Sequence, residues 1–351
     1  MFPSVMSGRV VLASALTFCL TGPALGDDAV LLKARFSAGR THYIETQTET
    51  VQTMPGPAGK MKVTLRQTSG RVEKVESASS KGAKIVVTLD RFAVDSSNPM
   101  MGKMSYDSDM PDSDASPRLK ELFAPMIGTS TTAELDGDNQ ITSYTGMEAV
   151  LKKVAASAAN NPFLPGIKRS LTDERAKQSW HDLHLALLPN KKVKPGESWK
   201  QPVENRSSQM GTVVYDCNFK LDRMTEAKGQ PVAVITYTGK AKKDQTLKPP
   251  GMPPGMALVL ETGEISGTFS FDPAAGELVR KEQTVRIKVA MKAEGNAAMA
   301  MPGGAIEVQN TEVSRVISVA EREKEKLAHR KEAEIKKKAE AAKKPENKAG
   351  K

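Results

Sequence analysis

Lys84-Ile85-Val86-Val87-Thr88-Leu89-Asp90-Arg91-Phe92-Ala93-Val94 is the stretch on which the fold turns. Ile85, Val87 and Leu89 fall at alternate positions, a period of two that puts them on one side of an extended chain. β-Branched residues are stiff and suit a pleated, half-buried surface better than a helix. Upstream, Val63 and Leu65 repeat the pattern within Lys62 to Val75, and His42 to Met54 reads as a long, threonine-rich strand. Ser79-Ser80-Lys81-Gly82 supplies the turn between two of these strands. Downstream, Gly128 to Leu135 and Gln140 to Tyr144 flank Asp136-Gly137-Asp138-Asn139, residues that favour a hairpin turn. The expected fold is mainly β (α+β), with antiparallel sheets that bury one face and wet the other.

The middle of the chain changes period. Gly146 to Ala159 is rich in helix formers and stops at Asn160-Asn161-Pro162. Thr172 can cap a second helix whose first turn carries Asp173 and Glu174, where carboxylates complement the helix dipole. Leu171, Ala176, Trp180, Leu183 and Leu187 fall on one stripe of it, and Pro189 ends it. Residues 146–188 therefore read as a helical connector between a first β unit, 27–145, and a second, 189–319. Three features of the first unit recur in order in the second. Phe36 to Tyr43 is echoed by Val193 to Trp199, the strands around Gly82 by those around Gly229, and the Gly128–Tyr144 hairpin by Gly267 to Met291. That succession suggests duplication of one β unit. A last strand, Ala305 to Val319, is expected to close the second sheet.

The two ends differ in kind. Arg9, the apolar run Val10 to Leu20, and small Ala24 and Gly26 make residues 1–26 an expected signal peptide, cleaved near Gly26-Asp27. The apolar run is too short for the roughly 20 residues that a spanning helix needs. Cys217 is then the one cysteine left in a chain that holds two, so no internal disulfide can form and stability must come from burial. The net charge is +10, but residues 319–351 hold twelve Lys/Arg against seven Glu. The folded body is thus close to balanced. Residues 320–351 form a charged, low-complexity tail, expected to be a solvated helix or disordered rather than core.

The layout resembles DUF6263, a bacterial envelope family of unknown function. Leu32-Lys33-Ala34-Arg35-Phe36 with Gly39 and Tyr43, Tyr106-Asp107-Ser108, Met126-Ile127-Gly128, Leu188-Pro189, Lys194 to Trp199, and Gly267 to Asp272 carry the likeness. The resemblance implies an exported bacterial protein with no assigned activity. It supplies no site residue to transfer.

Chemistry-bearing clusters are few. Trp180-His181-Asp182-Leu183-His184 sets two imidazoles three residues apart on a helix, a spacing that can serve a metal if other ligands join. Asp107, Asp109, Asp112 and Asp114 make an acidic segment that lacks the calcium-loop spacing and reads as a solvated loop. Cys217 alternates with Asp216 and Asn218 on a strand and reads as a buried, inert thiol. No catalytic, cofactor or metal residue is assigned, and no cofactor is expected. The leading expectation is an exported, non-enzymatic binding or structural protein that uses a β-sheet groove for an apolar ligand or a protein partner. The Met/Pro loops Pro249 to Met256 and Met299 to Pro302 are candidate contacts. The alternatives are a metal-dependent hydrolase near His181 and His184, and a scaffold held weakly to anionic surfaces by its basic tail. Interleaved glutamates in that tail argue against specific nucleic-acid binding.

Overall fold

The computed structural model describes residues 28–56, 59–100, 102–110, 115–207, 211–242, 245–247, 256–293 and 305–343. The expected signal peptide, Asp112, Asp114 and nearly all of both Met/Pro loops lie outside them. In the first half, β1 (Val30–Leu31), β2 (Thr41–Gly56), β3 (Gly59–Ser79), β4 (Gly82–Asn98) and β5 (Gly102–Asp107) precede helix α1 (Pro117–Phe123). The hairpin β6 (Ser130–Asp136) and β7 (Ile141–Thr145) follows. The connector holds α2 (Met147–Ser157), α3 (Leu164–Ser170) and α4 (Asp173–His184). The second half begins with β8 (Lys192–Val193), β9 (Ser198–Ser207), β10 (Gly211–Ala227) and β11 (Gln230–Ala241). It continues through β12 (Thr246–Leu247), β13 (Met256–Asp272), β14 (Glu277–Ala293) and β15 (Ala305–Ile317) to helix α5 (Val319–Lys343).

The mainly β, antiparallel architecture is as the alternation predicts. The turn at Asp136 forms because its Oδ1 accepts the backbone N–H groups of Asp138 and Gln140, and Asn139 takes φ 63°. Thr172 caps α4, its hydroxyl accepting the N–H of Arg175.

All strands but β1 and β8, which pair with each other, lie in one sheet. Its order is β7-β6-β4-β3-β2-β15-β14-β13-β11-β10-β9, with β5 on β4 and β12 on β13. The run from β7 to β2 has the same succession as the run from β14 to β9, as tandem copies of one unit would. One expectation needs correcting. β15 does not close a separate second sheet. It pairs with β14 over Ala305 to Arg315 and with β2 over Glu307 to Ile317, and so welds both runs together.

The sheet must curl strongly. Seven steps of about 4.8 Å separate β3 from β9 along a flat sheet, about 34 Å in all. Yet Leu65 and Gln67 of β3 line one cavity with Val203 and Asn205 of β9. On the inner side of the outer strands, Trp199, Phe219 and Tyr237 stack with ring centroids 5.3 and 5.1 Å apart, and Phe269 follows at 6.3 Å. Leu183 and Leu187 from the connector pack into the same core, while Trp180 packs with Val75, Ile85, Val87, Ala133 and Leu135. The apolar stripe of α4 thus ties the two halves to one interior, and each large side chain buried there contributes roughly 1.5–3 kcal/mol.

The tail also departs from expectation. The first turns of α5 are part of the body and not a solvated appendage. Arg322 is 1% exposed on the outer face of the sheet, its guanidinium 5.1 Å from the Tyr43 ring centroid. Tyr43 lies over Gly70, where any Cβ would collide with its ring. Arg322 donates to both carboxylate oxygens of Asp109 at 2.8 Å and to Asp90 at 2.7 Å. Asp109, assigned to a solvated loop, is therefore a buried anchor; burial would raise its pKa, but Arg322 holds it below the usual range. Arg315 adds a bridge between Glu45 and Glu325. A helix polar on every side can pack because these carboxylates were buried in advance to receive it.

Candidate binding cavity

The register of the four inner strands assembles the floor of the cavity. Ser69, Thr46, Ser314 and Lys281 lie side by side across β3, β2, β15 and β14. The next row along is Gln67, Thr48, Glu312 and Gln283, and the one after is Leu65, Thr50, Asn310 and Val285. Two complete rows of polar side chains thus cross the inner face of a sheet, where alternation normally delivers apolar ones.

These rows, Ser314 apart, face a cavity of about 1160 Å³. Over them lie Phe123 and Met126, Ile167 of α3, Leu171, and Leu183 of α4 with Leu187 beyond it. Toward β14, Val285, Ile287 and Val308 extend the apolar wall. The space therefore has an apolar roof and a hydrogen-bonding floor. A depression of about 210 Å³ around Arg66, Thr68 and Tyr106 lies on the opposite face of β3, since its residues alternate with Leu65 and Gln67.

Charges in the lining are matched. Arg71, Arg175, Arg206 and Lys281 stand against Glu174, Asp182, Glu204 and Glu312. Lys281, 5% exposed, contacts Glu312 at 2.9 Å. Burial would raise the Glu312 pKa, but Lys281 and a hydrogen bond from Ser314 bring it below the usual value. Arg206 pairs with Glu204, and Arg71 Nε meets Glu73 at 2.8 Å. Tyr237 donates its hydroxyl proton to Gln283 at 2.8 Å. Three buried atoms of lining residues have no hydrogen-bond partner among the described residues: Asn310 Oδ1, Arg71 Nη2 and Arg71 Nε, whose contact with Glu73 is an ion pair alone.

The histidines take separate roles. His184 Nε2 lies 3.1 Å from a Glu73 oxygen, and its ring lies against Trp180 at 4.4 Å between centroids. His42 reaches the same carboxylate at 3.6 Å. Burial alone would raise the Glu73 pKa; His184, Arg71 and the imidazole hydrogen bonds hold it well below the ordinary carboxylate range. Burial pushes His184 down, past the pull of Glu73. His181, one-third exposed, turns to Asp182 at 3.3 Å. Among the described residues no group of three or more His, Cys, Asp or Glu side chains is arranged to hold a metal ion. Cys217 is buried against Gly239, and burial pushes its thiol up to about 12, which removes the reactive thiolate at neutral pH.

The fold and cavity define a class: a curled antiparallel sheet with a helical roof over a two-faced cavity. The family described as "Family of unknown function (DUF6263)" matches residues 80–277. The chain belongs to that family, and the match spans the connector that roofs the cavity. No curated protein matches the chain. Two solved structures are similar at low identity. DynF from the dynemicin biosynthesis pathway of Micromonospora chersina is 8% identical, over 88% of this chain and 92% of that one, with a TM-score of 0.21. The COG4313 outer membrane channel from Pseudomonas putida F1 is 11% identical, over 81% and 98%, with a TM-score of 0.22. Among the described residues no helix is long and apolar enough to cross a membrane.

Proposed function

We propose that this is an exported, non-enzymatic binding protein that holds an amphipathic small molecule between the inner face of the sheet and the helical roof. The observation that carries the reading is the two-faced cavity. Its volume, about 1160 Å³, lies just above the roughly 300–1,000 Å³ of small-molecule sites. A ligand explains a half-open space of this size with polar rows for a floor. Apolar surface on Phe123, Met126, Ile167 and Leu171 gives a hydrocarbon chain its driving force, roughly 25 cal/mol per Å² removed from water. Export rests on residues 1–26, and the lysine-rich distal turns of α5 would add weak, salt-sensitive contact with anionic surfaces.

The reading is tested with N-phenylnaphthylamine, a dye that brightens in apolar surroundings, titrated into purified mature protein. Saturable brightening is expected, with an affinity about tenfold weaker in Leu171→Trp, which fills the roof. A titration that never saturates, or one that Leu171→Trp leaves unchanged, would remove the cavity from the function. The hydrolase alternative loses support because His184 is committed to Glu73 and His181 to Asp182.

A further inference from the structure

Resting on that binding reading, we infer that the ligand's head group is uncharged and carries hydroxyls: a nonionic, hydroxylated amphiphile and not a fatty acid, a phospholipid anion or a cationic surfactant. Two observations on the cavity floor lead there. The first is charge balance. Among the described residues, the floor cation Lys281 is already matched by Glu312 at 2.9 Å, and Arg71 beside it by Glu73 at 2.8 Å. An anionic head would compete with Glu312 for Lys281, and a cationic head would compete with Lys281 for Glu312. Either way one buried charge is left unpaired, which strongly disfavours binding in a desolvated site. An uncharged head disturbs neither pair.

The second observation is the polar inventory. Apart from those pairs, the floor offers Thr46, Thr48, Thr50, Ser69, Gln67 and Gln283, groups that both donate and accept. A carboxylate can only accept, and a quaternary ammonium neither donates nor accepts, so neither makes full use of groups that do both. A hydroxyl does both.

The experiment displaces N-phenylnaphthylamine from the mature protein with three probes that share one lauryl chain: monolauroylglycerol, laurate and dodecyltrimethylammonium, each below its micellar concentration. The expected result is monolauroylglycerol binding more tightly than either charged probe by about tenfold or more. Glu312→Gln, which leaves the Lys281 ammonium unmatched, should shift preference toward laurate by about tenfold, with circular dichroism verifying the fold. Equal binding of the three probes, or tighter binding of laurate or dodecyltrimethylammonium to the wild type, overturns the head-group assignment and leaves the binding reading standing. Failure of the dye and all three probes to bind overturns both.

Discussion

Strands β9, β10, β11 and β13 and strands β3, β2, β15 and β14 belong to one sheet and alternate in the same way, yet their inner faces do opposite things. In the outer group the inward positions hold Trp199, Phe219, Tyr237 and Phe269, which stack across neighbouring strands and fill the curl. In the inner group two rows of equivalent positions hold only Ser, Thr, Gln, Lys and Glu, with Leu65, Val285, Ile287 and Val308 beyond them, and the curl stays open beneath the connector. Backbone geometry is shared, so the difference lies in side-chain chemistry alone. One half spends its inward face on stability, and the other keeps it for contact with something else.

That contrast can be broken by mutation. Phe219→Ala, in the middle of the aromatic stack and 1% exposed, should cost about 3–5 kcal/mol, because the rings on both sides cannot collapse into the space. Chemical denaturation with an unchanged slope would measure it. A cost below about 1 kcal/mol would mean that the outer half is as loosely filled as the inner half.

The seam between the halves responds to acid. His184 is held below its ordinary 6.5 by burial, so the unfolded chain binds that proton first. Stability should therefore fall as pH drops through 6.5 toward the folded value, by up to about 1.4 kcal/mol per pH unit. Glu73 is shifted below its ordinary 4.5. Its contribution is present above 4.5 and is lost as pH falls through its lower folded value, adding a second decline. Denaturation midpoints between about pH 7 and 5 should slope in the wild type and flatten in His184→Gln. An identical slope in both would place the titrating group elsewhere.

The smallest effect should come from the polar floor. Thr48→Val exchanges a hydroxyl for a methyl facing open space, so stability should stay within about 0.5 kcal/mol. A loss of about 2 kcal/mol or more in thermal or chemical unfolding would show that the floor is core.

Much of the architecture was legible in the sequence. Ile85, Val87 and Leu89 announced their face, Asp136 to Asn139 announced a hairpin, and Thr172 announced the start of α4, because each signal is local. The union of both strand runs through β15 was not legible, since an antiparallel edge accepts any compatible partner and the pairing of Ser314 with Thr46 spans 268 residues. The docking of α5 was hidden for a related reason: Arg322 looks like any other charge in a charged run until Asp90, Asp109 and Tyr43 are brought around it. The floor did leave a trace. His42 to Met54 is polar at both odd and even positions, Glu45, Gln47 and Glu49 on one face and Thr46, Thr48 and Thr50 on the other. A central strand with no apolar residue from Glu45 to Thr50 points to a sheet whose inner side is put to use. Partners for those threonines, from β14 and β15, could not be read without the register.

The late position of β15 in the chain has a kinetic consequence. While synthesis proceeds toward the C-terminus, β2 and β14 each present a long row of unpaired N–H and C=O groups, and the strand that will cover both comes last. Closure must wait for rungs of very large sequence separation, which slows folding, and raw edges of this length invite pairing with other chains. Until β15 zips in, the molecule is two adhesive ribbons tethered by a few helices, and whatever accompanies the nascent polypeptide must shield them.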